Sequence, residues 1–367
     1  MILCDAMVAG TGPAGSLAAM ELARAGLRVA LADGSDSTLP KIGESLPPVG
    51  LRFLRSLGLD VSGFVTVHQR IGGNLTCWAS EELDAADFLC DPDGPGWRLS
   101  RRRFDAYLRS AAESAGAQYF PFNLDKVVRN GERWELHSTS GEAFECRWLV
   151  DATGRGSSIA RRLGVRRNRD EGLVALCGFG SPRAGERLNR TLIEAVPEGW
   201  WYGAVLPEGV AMLALHVDPR ESRSVRRDWL AALNRTSFVR EFFPPAGFGE
   251  RLFIAEAGGS WLQTVHGKNW VACGDSAISF DPLSSQGIYT AMYSGVTAAR
   301  AIVASEKGCA SAIAKYACRL GEIRRVYRTR LIYSYQLVAR WPDHLFWSAR
   351  RSSDSVLPSG WQKAPER

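Results

Sequence analysis

"AMVAGTGPAGSLAAMELARAGLRVALAD", running from Ala6 to Asp33, sets the fold of this chain. It opens on a short apolar run, as a buried strand does. Gly10-Thr11-Gly12-Pro13-Ala14-Gly15 then forms a GxGxxG turn, a helix-forming run follows, and "RVALAD" reads as a second strand. The glycines have separate tasks: Gly10 permits the turn, Gly12 lets a pyrophosphate approach the backbone, and Gly15 lets the helix pack on the strand. The helix N-terminus presents free N–H groups and a positive dipole end to phosphate. Asp33 closes the second strand at the distance where an acid reaches ribose hydroxyls. Strand, turn, helix, strand and acid together predict an α/β dinucleotide-binding unit, with NAD and FAD both open at this point.

Bulk composition narrows the remainder. A chain of 367 residues, 46% hydrophobic and 23% charged, is long enough for one large core or two fused ones. No apolar run reaches the length of a membrane span. No basic segment precedes the first apolar stretch, so no signal peptide is expected, and the predicted location is cytoplasmic. The formal charge of +6 comes without a basic-aromatic recognition motif. It excludes nucleic acid as the expected partner and favours an acidic patch on a protein. The eight cysteines (Cys4, Cys77, Cys90, Cys146, Cys177, Cys273, Cys309 and Cys318) include no CxxC pair. That predicts buried thiols in a reducing cytosol, with no structural zinc and no disulfide framework.

Three later segments extend the reading. "VDATGRGS" (Val150 to Ser157) reads as a strand entering a turn at Gly154. "NWVACGDSAISFDPLSSQGIYTAMYSG" (Asn269 to Gly295) is a strand, a Gly274-Asp275 turn, a proline loop and a helix beginning near Gly287. "WRLSRRRFDAYLRSAAESAGA" is a helix opening at Arg101. In this order they resemble the FAD-dependent monooxygenase superfamily of the para-hydroxybenzoate hydroxylase type, over about residues 6 to 300. The resemblance implies FAD as cofactor. The Gly10, Gly12, Pro13, Ala14, Gly15 turn would hold its pyrophosphate, and Asp33 and Arg101 would serve the same dinucleotide. Gly154 marks a further turn of the site. Gly274 and Asp275 would hold the ribityl chain, and Pro282, Gln286, Gly287 and Ile288 would face the flavin ring. A helix start there supplies N–H donors suited to an anionic reduced flavin.

"KIGESLPPVG" (Lys41 to Gly50) is a stiff, polar, helix-free strap. It resembles the strap crossing the flavin in the branch that contains the tryptophan halogenases. Pro47 and Pro48 fix its backbone, Gly43 allows close approach, and Glu44 and Ser45 offer polar atoms to the cofactor. The halogenases use a lysine after the strap, but no lysine lies between Ile42 and Asp125. "HQRIGGNLTCWAS" offers His68, Arg70 and Trp78 instead, and arginine does not readily take lysine's role in carrying hypochlorous acid. Their Trp-x-Trp-x-Ile-Pro signature is also altered, to "EGWWYGAVLPEG". Both departures disfavour halogenation. "GWWYGAVLP", "FDPLSSQGIY" and "RWPDHLFWSARR" look most like flavoproteins that mature peptidyl tryptophylquinone cofactors by oxygenating a tryptophan of a partner enzyme.

The expected fold class is α/β. A Rossmann-like FAD-binding domain (1–65, 99–168 and 263–308) carries an inserted antiparallel-sheet substrate domain (66–98 and 169–262). A helical region (309–351) with an arginine-rich wet face and a fraying tail (352–367) complete the chain. His68, Trp78, Trp200, Trp201, Tyr202 and His216 are the substrate-pocket candidates. His68 and His216 are also the candidate bases, with no catalytic residue assigned. "GFGSPRAG" (Gly178 to Gly185) lacks the small residues of a second nucleotide turn. Electrons are therefore expected from transient NAD(P)H contact or a separate flavin reductase, with dioxygen as co-substrate. The resemblance implies hydroxylation of an electron-rich aromatic, such as a Trp or Tyr side chain of a partner protein or peptide, through a flavin C4a-hydroperoxide. The alternatives are a halogenase, a geranylgeranyl-reductase-like flavin reductase and a non-catalytic FAD-binding assembly chaperone. Oligomeric state stays open.

Overall fold

Three strands buried at every position, Ala6–Ala9, Val29–Ala32 and Trp148–Asp151, run parallel at the centre of a six-stranded sheet. A strand covered on both faces has no need for polar alternation, which is why these read as plain apolar runs. Gln118–Phe120 and Trp270–Ala272 flank them, and His266–Gly267 adds an antiparallel edge. The architecture comes from a computed structural model, which describes residues 1–34, 41–185 and 188–351.

The helix Pro13–Arg24 packs against the helices Gly287–Glu306 and Arg101–Ser114. The approach to Gly287–Glu306 is close: a Cβ on Gly295 would strike the Ala14 carbonyl. The helix also sits tightly on its own turn, where a Cβ on Gly15 would strike the Gly10 carbonyl. A four-stranded sheet (Ile2–Leu3, Ala143–Cys146, Arg133–Ser138, Leu124–Asn130) lies beside this unit.

A seven-stranded sheet forms the second layer. Its strand order is Phe248–Glu256, Val174–Gly180, Ala211–Val217, Gly199–Val205, Arg190–Val196, Gly73–Cys77 and Asp84–Asp87. Neighbours are antiparallel except Arg190–Val196 with Gly73–Cys77. Successive side chains alternate between faces. Ala175, Cys177, Trp200, Met212 and Ala214 join the main core. Leu176, Trp201, Leu213 and Leu215 form a second core with Trp229 and Phe243. "GFGSPRAG" begins inside this sheet, with Gly178 and Gly180 on a strand.

The helices Ala312–Gln336 and Leu345–Arg351 close the chain. The expected wet arginine face needs correction. Arg325 and Arg330 are exposed, but Arg324 and Arg328 are buried, each donating at 2.7 Å, to Asp170 and Glu171 respectively. Those acids neutralise what the helix periodicity alone suggested would be solvated. The tail from 352 to 367 lies outside the described residues. The thiols also divide: Cys4, Cys77, Cys146, Cys177 and Cys273 are buried, but Cys90 and Cys309 are exposed. No described helix is long and apolar enough to cross a membrane.

Candidate active site

A cleft of about 890 Å³ lies between the parallel sheet and the seven-stranded sheet. Gly10, Gly12, Pro13, Ala14, Asp33, Glu44, Ser45, Arg101, Gly154, Asp275, Pro282, Gly287 and Ile288 all line it. Residues scattered along the whole sequence thus converge on one cavity. Gly15, Gly274 and Gln286 do not reach its wall. Gly15 lets the first helix pack on the Gly10 carbonyl and Ala152 at the strand ends. Gly274, at φ +61°, lies under Ala14, where a Cβ would stand 2.6 Å from the Ala14 methyl. Gln286 is the residue preceding the Gly287 helix.

The cleft fits an elongated anionic dinucleotide. A Cβ at Gly12, Gly154 or Gly287 meets nothing within 4 Å, so the wall is open at all three. The helices starting at Pro13 and Gly287 have no side-chain cap, which leaves first-turn N–H groups available to an anion. Asp33 accepts from the Thr11 N–H at 2.8 Å and the Thr11 hydroxyl at 2.7 Å, locking the glycine turn against the second strand. Asp275 faces the Arg155 guanidinium at 3.6 Å. Arg155 also donates to the carbonyls of Gly258 and Phe280, both at 2.7 Å.

Only Ser45–Leu46 of the strap is strand, and the stretch is not helix-free as expected, because Val49 and Gly50 open the helix Val49–Ser56. Ser45–Leu46 pairs with Trp97–Arg98, which pairs in turn with Gln69–Ile71. Arg101 fastens its base by donating to the carbonyls of Ile42 (3.0 Å) and Gly43 (2.6 Å), while Lys41 pairs with Asp105 at 2.9 Å. Glu44 is buried. Its carboxylate accepts from the Tyr202 hydroxyl and lies 3.4 Å from the Arg98 guanidinium, which is wholly buried. Arg98 also donates to the Ser45 hydroxyl at 3.3 Å and to Thr191 Oγ1 at 3.1 Å. The Glu44 carboxylate and the Ser45 hydroxyl thus bond to Arg98 of the strap's own sheet and to Tyr202 of the seven-stranded sheet, while both residues line the cleft.

Residues 3–231 match the family model described as an FAD binding domain. The chain belongs to the FAD-binding hydroxylase and halogenase family. LodB of Marinomonas mediterranea, an inferred FAD-dependent oxidoreductase, is 30% identical over 96% of this chain and 98% of its own. The tryptophan 2-halogenase of Chondromyces crocatus is 27% identical over 96% of this chain and 71% of its own. Among solved structures, the myxobacterial chondrochloren halogenase CndH superposes with TM-score 0.86 at 24% identity, covering 97% of this chain and 87% of its own. The peptidyl tryptophan dihydroxylase QhpG superposes at 0.77 and 21% identity, covering 95% and 78%. Those two likenesses show the fold.

In this FAD-dependent enzyme the wall opposite the glycine turn is the seven-stranded sheet. Ala175, Cys177, Tyr202, Met212, Ala214 and His216 face the cleft. The other four pocket candidates do not line it. Trp201 points to the far face and packs on Trp229 at 5.1 Å. Trp200 is fully buried, stacked on His216 at 3.7 Å, with its indole N–H donating to the Tyr335 hydroxyl. Trp78 donates to the Ser334 carbonyl at 2.7 Å and packs against Trp200. His68 is held among Phe64 and Phe104, and its Nδ1 accepts from the Ser100 N–H at 3.1 Å. Burial lowers its imidazole to about 4, and that of His216 to about 3. Both rings are neutral near pH 7, and neither is poised as a strong base.

Sequence reading missed Arg98, Arg155 and Asp281. Arg155 sits inside the quoted "VDATGRGS", so its neighbourhood was a usable signal. Arg98 likewise sits inside the quoted "WRLSRRRFDAYLRSAAESAGA", but its acidic partner Glu44 is far away in sequence, so nothing local marked its role. Asp281 lines the cleft and accepts from the Tyr335 hydroxyl at 2.7 Å, with burial raising its carboxyl.

Proposed function

We propose that this enzyme hydroxylates an electron-rich aromatic ring, a Trp or Tyr side chain of a partner protein or peptide, with dioxygen as oxygen donor. One observation carries the choice of hydroxylation: Lys41 is the single lysine lining the cleft among the described residues, and it is paired with Asp105 at the strap's base. Among the described residues, the sheet wall of the cleft carries no amine to hold hypohalous acid.

FAD, when bound and reduced, supplies the oxygen activation; the protein supplies binding, orientation and water exclusion. Gly12 and the Gly287 helix start would offer backbone N–H groups to the dinucleotide, and Asp33 and Asp275 would accept from its hydroxyls. Arg101 and the Arg98–Glu44–Tyr202 network hold the strap in place. Ala175, Cys177, Met212 and Ala214 form an apolar wall that excludes water beside a planar ring. Neutral His216 can hydrogen-bond a ring substituent without introducing charge. Reducing equivalents would come from NAD(P)H or a separate flavin reductase.

QhpG, named for peptidyl tryptophan dihydroxylation, supports a peptide-borne ring as substrate. The tryptophan 2-halogenase relative favours halogenation as the second reading, and the missing amine weighs against it. The test uses FAD-loaded enzyme, a flavin reductase with NADH, a tryptophan-containing peptide, air and excess bromide. The expected product carries oxygen and no bromine by mass spectrometry. A brominated peptide would overturn the proposal.

A further inference from the structure

Trp78, Trp200, Trp341 and Trp347 belong to motifs the sequence marks for function, yet none lines the cleft. They form a continuous aromatic line. His216, on the cleft wall, stacks flat on Trp200 (3.7 Å, 7°). Trp200 meets Trp78 at 6.2 Å, Trp78 meets Trp347 at 5.6 Å, and Trp347 meets Trp341 at 5.9 Å. Trp341 is partly exposed. Tyr335 bridges the same line, 6.0 Å from both Trp78 and Trp347, with its hydroxyl on Asp281 of the cleft wall.

Rings at such spacings also pack cores, and the Trp201–Trp229 pair on the other sheet face does only that. Two features set this line apart. It connects the cleft to the surface, and the wall where it begins carries Cys177, Met212 and Tyr202, which are oxidisable side chains. We infer that the line from Trp200 through Trp78 and Trp347 to Trp341 is a hole-transfer relay, carrying oxidising equivalents out of the cleft when oxygen is reduced there without substrate.

The electrons balance as follows. An oxygen-centred radical in the cleft gains one electron, drawn from Trp200, and a proton. Trp200 is refilled from Trp78, Trp78 from Trp347, and Trp347 from Trp341. Trp341 loses its N–H proton to solvent, helped by the Arg340 guanidinium 4.3 Å from its ring, which disfavours a cationic indole. A soluble thiol then returns a hydrogen atom to Trp341, and two such thiols end as one disulfide. When Tyr335 carries the vacancy, its proton passes to Asp281 Oδ2, 2.7 Å away, and returns on refilling.

The relay rests on the proposed function only in needing dioxygen reduction in the cleft, a need halogenation shares. The test cycles FAD-loaded enzyme with a flavin reductase, NADH and catalase in air, without aromatic substrate. Oxygen uptake is recorded, and oxidised residues are mapped by peptide mass spectrometry. Wild type is expected to collect oxidation at Trp341. Trp347→Phe, and the double variant Trp78→Phe/Tyr335→Phe that closes both routes out of Trp200, are expected to lose that mark and to show several-fold more oxidation at Cys177, Met212 and Trp200. Trp201→Phe, outside the line, should match wild type. Oxygen uptake with the same map in wild type and both relay variants would sink the relay alone, as would an equal shift in Trp201→Phe. No oxygen uptake would sink the relay and the oxygenase reading together.

Discussion

Removing the charge of Glu44 tests whether the strap is held by a buried ion pair. The Glu44 and Arg98 side chains are 4% and 0% exposed, with 3.4 Å between charged atoms. Breaking such a pair leaves an uncompensated buried ion, at a cost of about 3–5 kcal/mol. Set against a typical domain stability of about 5–15 kcal/mol, that is a large loss. Glu44→Gln keeps an acceptor for Tyr202 and belongs near the lower bound; Glu44→Leu and Arg98→Met belong near the upper. The double variant Glu44→Leu/Arg98→Met buries no charge. Tyr202 keeps the Ser45 hydroxyl at 3.2 Å, and what is lost is the Arg98 donor to Thr191 Oγ1 and the Arg190 carbonyl, at about 1–3 kcal/mol. The double variant should therefore be more stable than either single variant at its upper bound, although simple addition predicts the reverse. Urea denaturation of flavin-stripped protein, followed by far-UV circular dichroism, reads all four values. Additivity within about 0.5 kcal/mol would refute the coupling, as would a loss below about 1 kcal/mol in both leucine and methionine singles.

Other perturbations have equally definite outcomes. Gly12→Val places its side chain in the open cradle, so purified protein should be folded but colourless; retained yellow flavin would contradict the cleft assignment. Gly15→Ala forces a methyl onto the Gly10 carbonyl and should give insoluble or unfolded protein, which circular dichroism of a soluble variant would disprove. Arg101→Ala frees the strap carbonyls of Ile42 and Gly43 and should weaken FAD binding at least about tenfold by titration, taking about 1.5 kcal/mol or more for a charged hydrogen bond. Acid should destabilise the fold through its buried histidines. Unfolded imidazole protonates near 6.5, whereas folded His216 and His68 stay neutral to about 3 and about 4. The unfolded state thus binds more protons below 6.5, and stability falls as pH drops through that window. The loss at pH 5 is about 2 kcal/mol per histidine; His216→Phe should remove part of it, and an unchanged pH slope would refute the assignment.

The sequence was most legible where the chain itself supplies the signal. Gly10, Gly12 and Gly15 lie a few residues apart, so spacing alone defines the turn, and Asp33 follows as the next strand ends. Asp275 and Gly287 were recognisable from segments whose order matches a known family. The strap was noticed for its prolines, but its purpose lies in Arg98 and Tyr202, partners far away along the chain. The tryptophans misled for a different reason. Neighbouring residues on a strand point to opposite faces, so Trp200 and Trp201 cannot both look into one cavity. The side each takes depends on which face the helices cover. Buried Arg324 and Arg328 were hidden likewise, since Asp170 and Glu171 reach them only through the fold.

The most direct measurement is the source of the oxygen atom in the product. FAD-loaded enzyme, a flavin reductase, NADH and the tryptophan peptide would be incubated once under labelled dioxygen in ordinary water and once with the labels exchanged. The account predicts that the ring's new oxygen comes from dioxygen. Oxygen drawn from water, or a peptide left unoxygenated while reduced flavin turns over in air, would contradict it.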